Sequence, residues 1–332
     1  MRVSEMTGTI TTNMRQFLAE KPDLKFIFFG GKGGVGKTVM AGATALWLAG
    51  QGRRTLLAST NPVHSLSGLL GRDVFGRITR LPEAPQAFAY EIDTRETIDR
   101  SKSEIREKIN WFLRFADLQL KADQFVEAAT LNPAFEESAM FENMLDLMFG
   151  GEFDAYVFDT APTANARRLL GMSQVYSLWV DKMVKSRQDA TSLRQLLSFS
   201  KKKDEADPLM DYLVDFRERM AHARELLTDP ALTAFFFVTL PEALPIAVIT
   251  RFLKWFQDFG IPVGGIVVNG LLPQVPTHEP EFIANRRAMQ AEHLETIWRL
   301  FDGQVRALVP LFETEVRGTE ALNRLAAALF GS

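Results

Sequence analysis

Residues 30–38 read Gly30-Gly31-Lys32-Gly33-Gly34-Val35-Gly36-Lys37-Thr38, and no other stretch limits the possible folds so tightly. The apolar run Lys25-Phe26-Ile27-Phe28-Phe29 before it has the composition of a buried strand. The run from Val39 to Ala49 after it predicts a helix. Strand, glycine-rich turn and helix in that order form the setting of a phosphate-binding loop. Glycines at these positions let backbone N–H groups turn inward around a polyphosphate, and the helix adds its positive dipole end. Gly31 to Thr38 fits the full G-x-x-x-x-G-K-[ST] pattern, in which Lys37 reaches the outer phosphates and the Thr38 hydroxyl ligates Mg²⁺.

Lys32 adds a second lysine early in the loop. With it the segment resembles the deviant Walker A ATPases, a group that includes ParA/MinD proteins, nitrogenase iron protein and the arsenical-pump and tail-anchored-protein-targeting ATPases. The resemblance implies that Lys32 crosses a dimer interface to the nucleotide of the other subunit. Only one such loop is present, so the second would come from another chain.

Composition narrows the rest. With 332 residues, 46% of them hydrophobic, the chain has enough apolar surface for a large α/β domain or a domain with an inserted lobe. A formal net charge of −3 gives no basic field to favour nucleic acid. No apolar run approaches the roughly 18–20 residues that span a bilayer, and the N-terminus lacks a signal-peptide core, so a cytoplasmic location is expected. Cysteine is absent, which removes disulfides, thiolate metal sites and cysteine nucleophiles. Four scattered histidines form no metal-ligand pattern.

Farther along, Thr55-Leu56-Leu57-Ala58-Ser59 predicts a second strand. It runs into Ser59-Thr60-Asn61-Pro62-Val63-His64-Ser65-Leu66-Ser67, placed where doubly wound sheets bind ligands. This segment resembles the first switch of the arsenical-pump and tail-anchored-targeting ATPases, with Asn61 where those proteins carry a catalytic aspartate. An amide keeps the shape but takes no proton, so slow hydrolysis with binding retained is expected, a general base being worth about 10²–10⁴ in rate. A native nucleotide-gated switch and an engineered Asp→Asn trap fit Asn61 equally. His64 matches a histidine of the same switch.

Phe88 to Asp93 predicts a third strand and Ala155 to Asp159 another, which ends on the aspartate expected to hold Mg²⁺. From Asp159 to Leu170 the chain resembles the second switch of the same family, with Ala164, Asn165 and Ala166 replacing its Gly-His-Thr. Two long helical blocks are expected around it, the second interrupted by a polar loop near 198–208. Seven of the twelve methionines lie there: Met140, Met144, Met148, Met172, Met183, Met210 and Met220. The first three share a helix face at i, i+4, i+8, which suits either ordinary core or an adaptable groove for apolar helices.

The last third returns to strand and helix, with strands at Phe235–Leu240 and Gly265–Asn269 around a helix through Phe252–Phe256. Val238 to Leu244, Val267 to Pro273 and Pro310 to Gly318 again resemble the arsenical-pump/tail-anchored-targeting ATPases. Matches at five separated points identify the chain as a member of that family. The implied architecture is α/β, a doubly wound, mainly parallel sheet with a P-loop plus an inserted α-helical lobe. Residues 1–94, 150–170 and 230–332 would form the ATPase domain, and 95–149 and 171–229 the lobe.

The resemblance implies ATP and Mg²⁺ as cofactors. It assigns Lys32, Lys37 and Asn61 to catalysis. Nucleotide binding falls to Gly31, Gly33, Gly34, Val35, Gly36, Lys37, Thr38, Val39, Asn269, Pro310 and Phe312, with Asn269 at the adenine edge, and Mg²⁺ to Thr38 and Asp159. The paired cysteines that hold zinc in eukaryotic-type members are missing, so a zinc-free homodimer is implied. Its lobe would take a hydrophobic helix or a membrane-protein partner. A non-hydrolysing subunit paired with an active paralogue and a thiol-independent anion-pump ATPase stay open beside it.

Overall fold

Five-residue apolar runs such as Phe26–Gly30 have no polar alternation, and that pattern belongs to strands buried on both faces of a parallel sheet. The computed structural model places them so. It describes residues 10–60, 65–95, 98, 99, 103, 106, 133–160, 181, 182, 185, 208–273 and 280–331. The strands are β1 (Phe26–Gly30), β2 (Thr55–Ser59), β3 (Thr79–Arg80), β4 (Ala87–Glu91), β5 (Ala155–Asp159), β6 (Thr233–Thr239), β7 (Val263–Leu271) and β8 (Val305–Pro310). They form one sheet in the order β3-β4-β2-β5-β1-β6-β7-β8. All neighbours pair in parallel except β3 with β4.

The helices are α1 (Met14–Ala19), α2 (Lys37–Gly50), α3 (Ser65–Leu70), α4 (Pro133–Gly150), α5 (Pro208–Thr228), α6 (Ala243–Asp258), α7 (Glu281–Leu300) and α8 (Gly318–Phe330). One face of the central strands carries an aromatic row, with Phe28 stacked between Phe158 and Phe235 at centroid distances of 4.8 and 4.3 Å. On the other face α2 packs close to α8. Gly42 lets the two approach, since a Cβ there would stand 3.2 Å from a Leu322 methyl, and Trp47 stacks on Phe330.

The chain divides into two units. Met1–Ile92, Leu147–Ala166 and Leu227–Ser332 make the first, which holds the whole sheet. Asp93–Asp146 and Arg167–Leu226 make the second, whose described residues lie mostly on α4 and α5. Within it Arg219 pairs with Asp146, and Arg217 approaches Asp181 at 3.7 Å.

The methionine stripe on α4 resolves in favour of core. Met144 and Met148 are 4% and 2% exposed, and Met140 is half-buried. Met220 is buried as well, whereas Met172, Met183, the Met210 side chain and the polar stretch at 198–207 lie outside the described residues.

Candidate functional site

The loop after β1 keeps its course because two positions exclude side chains. At Gly31, with φ 149°, a Cβ would stand 2.4 Å from the Val238 carbonyl oxygen of β6. At Gly36, with φ 99°, it would stand 2.4 Å from Asn269 Nδ2. Between them Gly33 and Gly34 are exposed, Lys32 is half-buried, and Val35 turns its side chain into the core. Gly36 opens α2, whose first turn holds no acidic side chain. The dipole end and free N–H groups of that helix therefore face the loop without a carboxylate on the helix to neutralise them.

Lys37 is buried, and its Nζ donates to the Lys32 carbonyl oxygen at 3.3 Å. Burial pushes its pKa down, while the charge of Asp159 acts in the opposite sense. Thr38 Oγ1 donates to Asp159 Oδ2 at 2.7 Å, and Ser59 Oγ donates to the same oxygen at 3.3 Å. Parallel pairing of β2 with β5 sets Ser59 beside Asp159, and pairing with β4 sets Ser59 beside Glu91. The other carboxylate oxygen, Asp159 Oδ1, is buried and has no hydrogen-bond partner. Burial raises the Asp159 pKa to about 6, against the hydrogen bonds from Thr38 and Ser59 and the charge of Lys37.

An orphaned, buried carboxylate oxygen next to a threonine hydroxyl is the donor set expected of a Mg²⁺ site that keeps waters and phosphate oxygens as its remaining ligands. The residues present therefore fit the cation.

A pocket of about 570 Å³ opens beside the loop. Thr38 and Val39 of α2, Ser65, Gly68 and Leu69 of α3, Asn269 of β7, Pro310 at the end of β8, and Leu311 and Phe312 just after it line the pocket, with 314–317 completing the wall. Asn269 is held from both ends of its amide. Nδ2 donates to the Val35 carbonyl at 2.9 Å and Oδ1 accepts from the Gly270 N–H at 2.8 Å. One N–H and one lone pair remain on that amide for a ligand.

Of the residues expected from sequence, Lys37, Thr38 and Asp159 meet at the loop, while Val39, Asn269, Pro310 and Phe312 meet at the pocket. Asn61, His64 and the second-switch positions Ala164, Asn165 and Ala166 lie outside the described residues. Sequence reasoning passed over Ser59, Glu91 and Arg317. Arg317 Nε donates to the Gly68 carbonyl at 3.0 Å, fixing one pocket wall to another. The only sequence trace of Ser59 and Glu91 is that each ends an apolar strand on a polar residue.

The sequence profile of the anion-transporting ATPases matches residues 24–331. The chain belongs to that family. It is 31% identical over 325 residues to a putative arsenical pump-driving ATPase of Halobacterium salinarum, an alignment covering 98% of this chain and 47% of that protein. The chain thus spans about half the length of that relative. It is 32% identical over 321 residues to ATPase GET3B of Arabidopsis thaliana, covering 91% of this chain and 77% of that one. With ATPase ASNA1 homolog 2 of Paramecium tetraurelia it shares 28% over 317 residues, covering 94% and 95%. The loop of residues 30–38, Asp159 at the end of β5 and the pocket all lie within the region that matches the family.

Proposed function

We propose that this chain binds Mg²⁺·ATP at the loop of residues 30–38 and acts as a dimeric nucleotide switch. In this reading the base occupies the pocket around Asn269, Pro310 and Phe312, with Lys37 at the outer phosphates. The observation that carries it is the Thr38–Asp159 hydrogen bond beside the unpartnered Asp159 Oδ1. Bound Mg²⁺ would supply charge neutralisation between the outer phosphates. Lys37 exchanges the weak bond to the Lys32 carbonyl for a phosphate oxygen, and its own burial strengthens that attraction. Asn61 orients water without accepting its proton, so hydrolysis is slow.

Lys32 completes the site of a second copy, and the lobe of residues 95–149 and 171–229 receives a hydrophobic segment or a membrane-protein partner. A thiolate-bound metalloid is not the client, because the chain has no cysteine. Among the described residues no helix is long and apolar enough to cross a membrane, and the reading places the chain in the cytoplasm. One observation favours a second reading, a regulatory subunit beside an active paralogue. Both switch segments depart from the resembled pattern, at Asn61 and at Ala164-Asn165-Ala166.

Turnover and sedimentation of this chain and of Asn61→Asp, measured side by side with ATP, test the proposal. The aspartate form is expected to gain on the order of 10² in rate. Both forms are expected to sediment as dimers in ATP. No gain from the aspartate would contradict the view that a missing base limits this site, and would favour the regulatory subunit.

A further inference from the structure

Most of α7 is polar, and it buries one stripe, Gln290, Leu294, Ile297 and Trp298, at the spacing of a single helix face. Gln290 brings an amide into that stripe and is only 7% exposed. A buried amide is unfavourable unless both of its ends find partners. Here both do. Nε2 donates to the Gly270 carbonyl oxygen at 3.0 Å, and Oε1 accepts from the Leu272 N–H at 2.9 Å. Regular pairing of β7 ends at this point: it runs beside β6 as far as Val268, and its register against β8 shifts between Val268 and Leu271. The glutamine supplies two bonds that a neighbouring strand would otherwise give.

The segment so held reaches the pocket on two sides. Gly270, at φ 74°, donates its N–H to Asn269 Oδ1 at 2.8 Å, while Asn269 Nδ2 donates to the Val35 carbonyl of the phosphate loop at 2.9 Å. The Leu271 carbonyl accepts from the N–H of Leu311, a residue of the pocket wall, at 2.7 Å. Turning the Asn269 amide over would set its oxygen against the Val35 carbonyl oxygen and its NH₂ against the Gly270 N–H. The amide therefore has one orientation for as long as the Gly270 N–H stays aimed at it. Gln290 holds that glycine from its other side, through the carbonyl.

We propose that Gln290 is a positioning residue that locks the Asn269 amide and so makes the pocket choose adenine over a 6-oxo purine. The inference rests on the placement of the base in the Mg²⁺·ATP reading above. Adenine carries an amino donor at position 6, where hypoxanthine and guanine carry an oxygen acceptor. A fixed amide oxygen pairs with the amino group and repels the oxygen. An amide free to turn over serves both.

The test is calorimetric titration of ADP, of IDP and of pyrophosphate, each with Mg²⁺, into the full chain, Gln290→Met and Gln290→Glu. IDP differs from ADP at the edge in question without the extra amino group of guanine, and pyrophosphate reports the loop alone. The unmodified chain is expected to bind ADP about tenfold more tightly than IDP. Gln290→Met keeps the length and removes both hydrogen bonds. It is expected to weaken ADP about fivefold and to change IDP and pyrophosphate less than about twofold. Gln290→Glu keeps the acceptor for Leu272 and sets an oxygen against the Gly270 carbonyl. The same loss of preference is expected from it, and it supplies the comparison if the methionine form does not fold. Equal weakening of all three ligands would make Gln290 a general support and overturn the proposal, as would an unchanged preference for ADP in the variants. An unmodified chain that binds ADP and IDP equally would contradict the placement of the base at Asn269, and one that binds none of the three would contradict the Mg²⁺·ATP reading itself; the inference falls with either.

Discussion

Asp159 accepts two hydroxyl hydrogen bonds on one oxygen, has no partner on the other, and titrates near pH 6 because it is buried. Its folded pKa lies above the ordinary value of 3.8, so the native state holds this proton more tightly than the unfolded chain does. The associated stability is fully present below about pH 4 and is lost as pH rises through 6. At pH 8 the ionised carboxylate leaves the apo protein about 3 kcal/mol less stable than a neutral group would. Asp159→Asn is therefore expected to stabilise the nucleotide-free chain by about 2–3 kcal/mol more at pH 8 than at pH 4. Urea denaturation of both forms at the two pH values measures this, and a difference that does not change with pH would contradict the assignment. A group kept ionised at a stability cost is one held ready for a cation.

At the level of elements, what was legible followed from local composition. The strands at residues 26–30, 55–59 and 155–159 are short, mainly apolar runs and are buried throughout. By contrast β8, whose residues alternate buried and half-buried before ending on exposed Pro310, drew no expectation. Neither did α7, most of whose surface is polar, nor the two-residue β3, which exists only because β4 offers an antiparallel edge. The loop residues could be read because they are contiguous. The pocket could be read only in part, since Gly68, Leu69 and Arg317 reach it by long-range packing that no local pattern carries. On α4 the i, i+4, i+8 methionines gave the right face and left its use open, and burial decides for core. Met144→Ala is expected to cost about 2–5 kcal/mol of stability in chemical denaturation, as for other buried methionines. A loss under about 0.5 kcal/mol, typical of surface sites, would reopen the groove reading.

At the scale of the molecule, one rule accounts for where the chemistry collects. β1, β2, β4, β5 and β8 all run parallel, and Gly30, Ser59, Glu91, Asp159 and Pro310 end them at the same edge of the sheet. Ligands of open α/β sheets bind outside that edge, where strand order reverses around the first strand. The family match spans residues 24–331, a range that takes in residues of both units of the chain. The central claim is that the loop, Thr38 and Asp159 make one Mg²⁺·ATP site. Calorimetric titration of ATP into the full chain, with Mg²⁺ and with the cation chelated, tests it most directly. Mg²⁺ is expected to tighten ATP binding by about tenfold or more, a gain that Asp159→Asn removes. Equal affinity with and without Mg²⁺, or no binding in either case, would contradict the account.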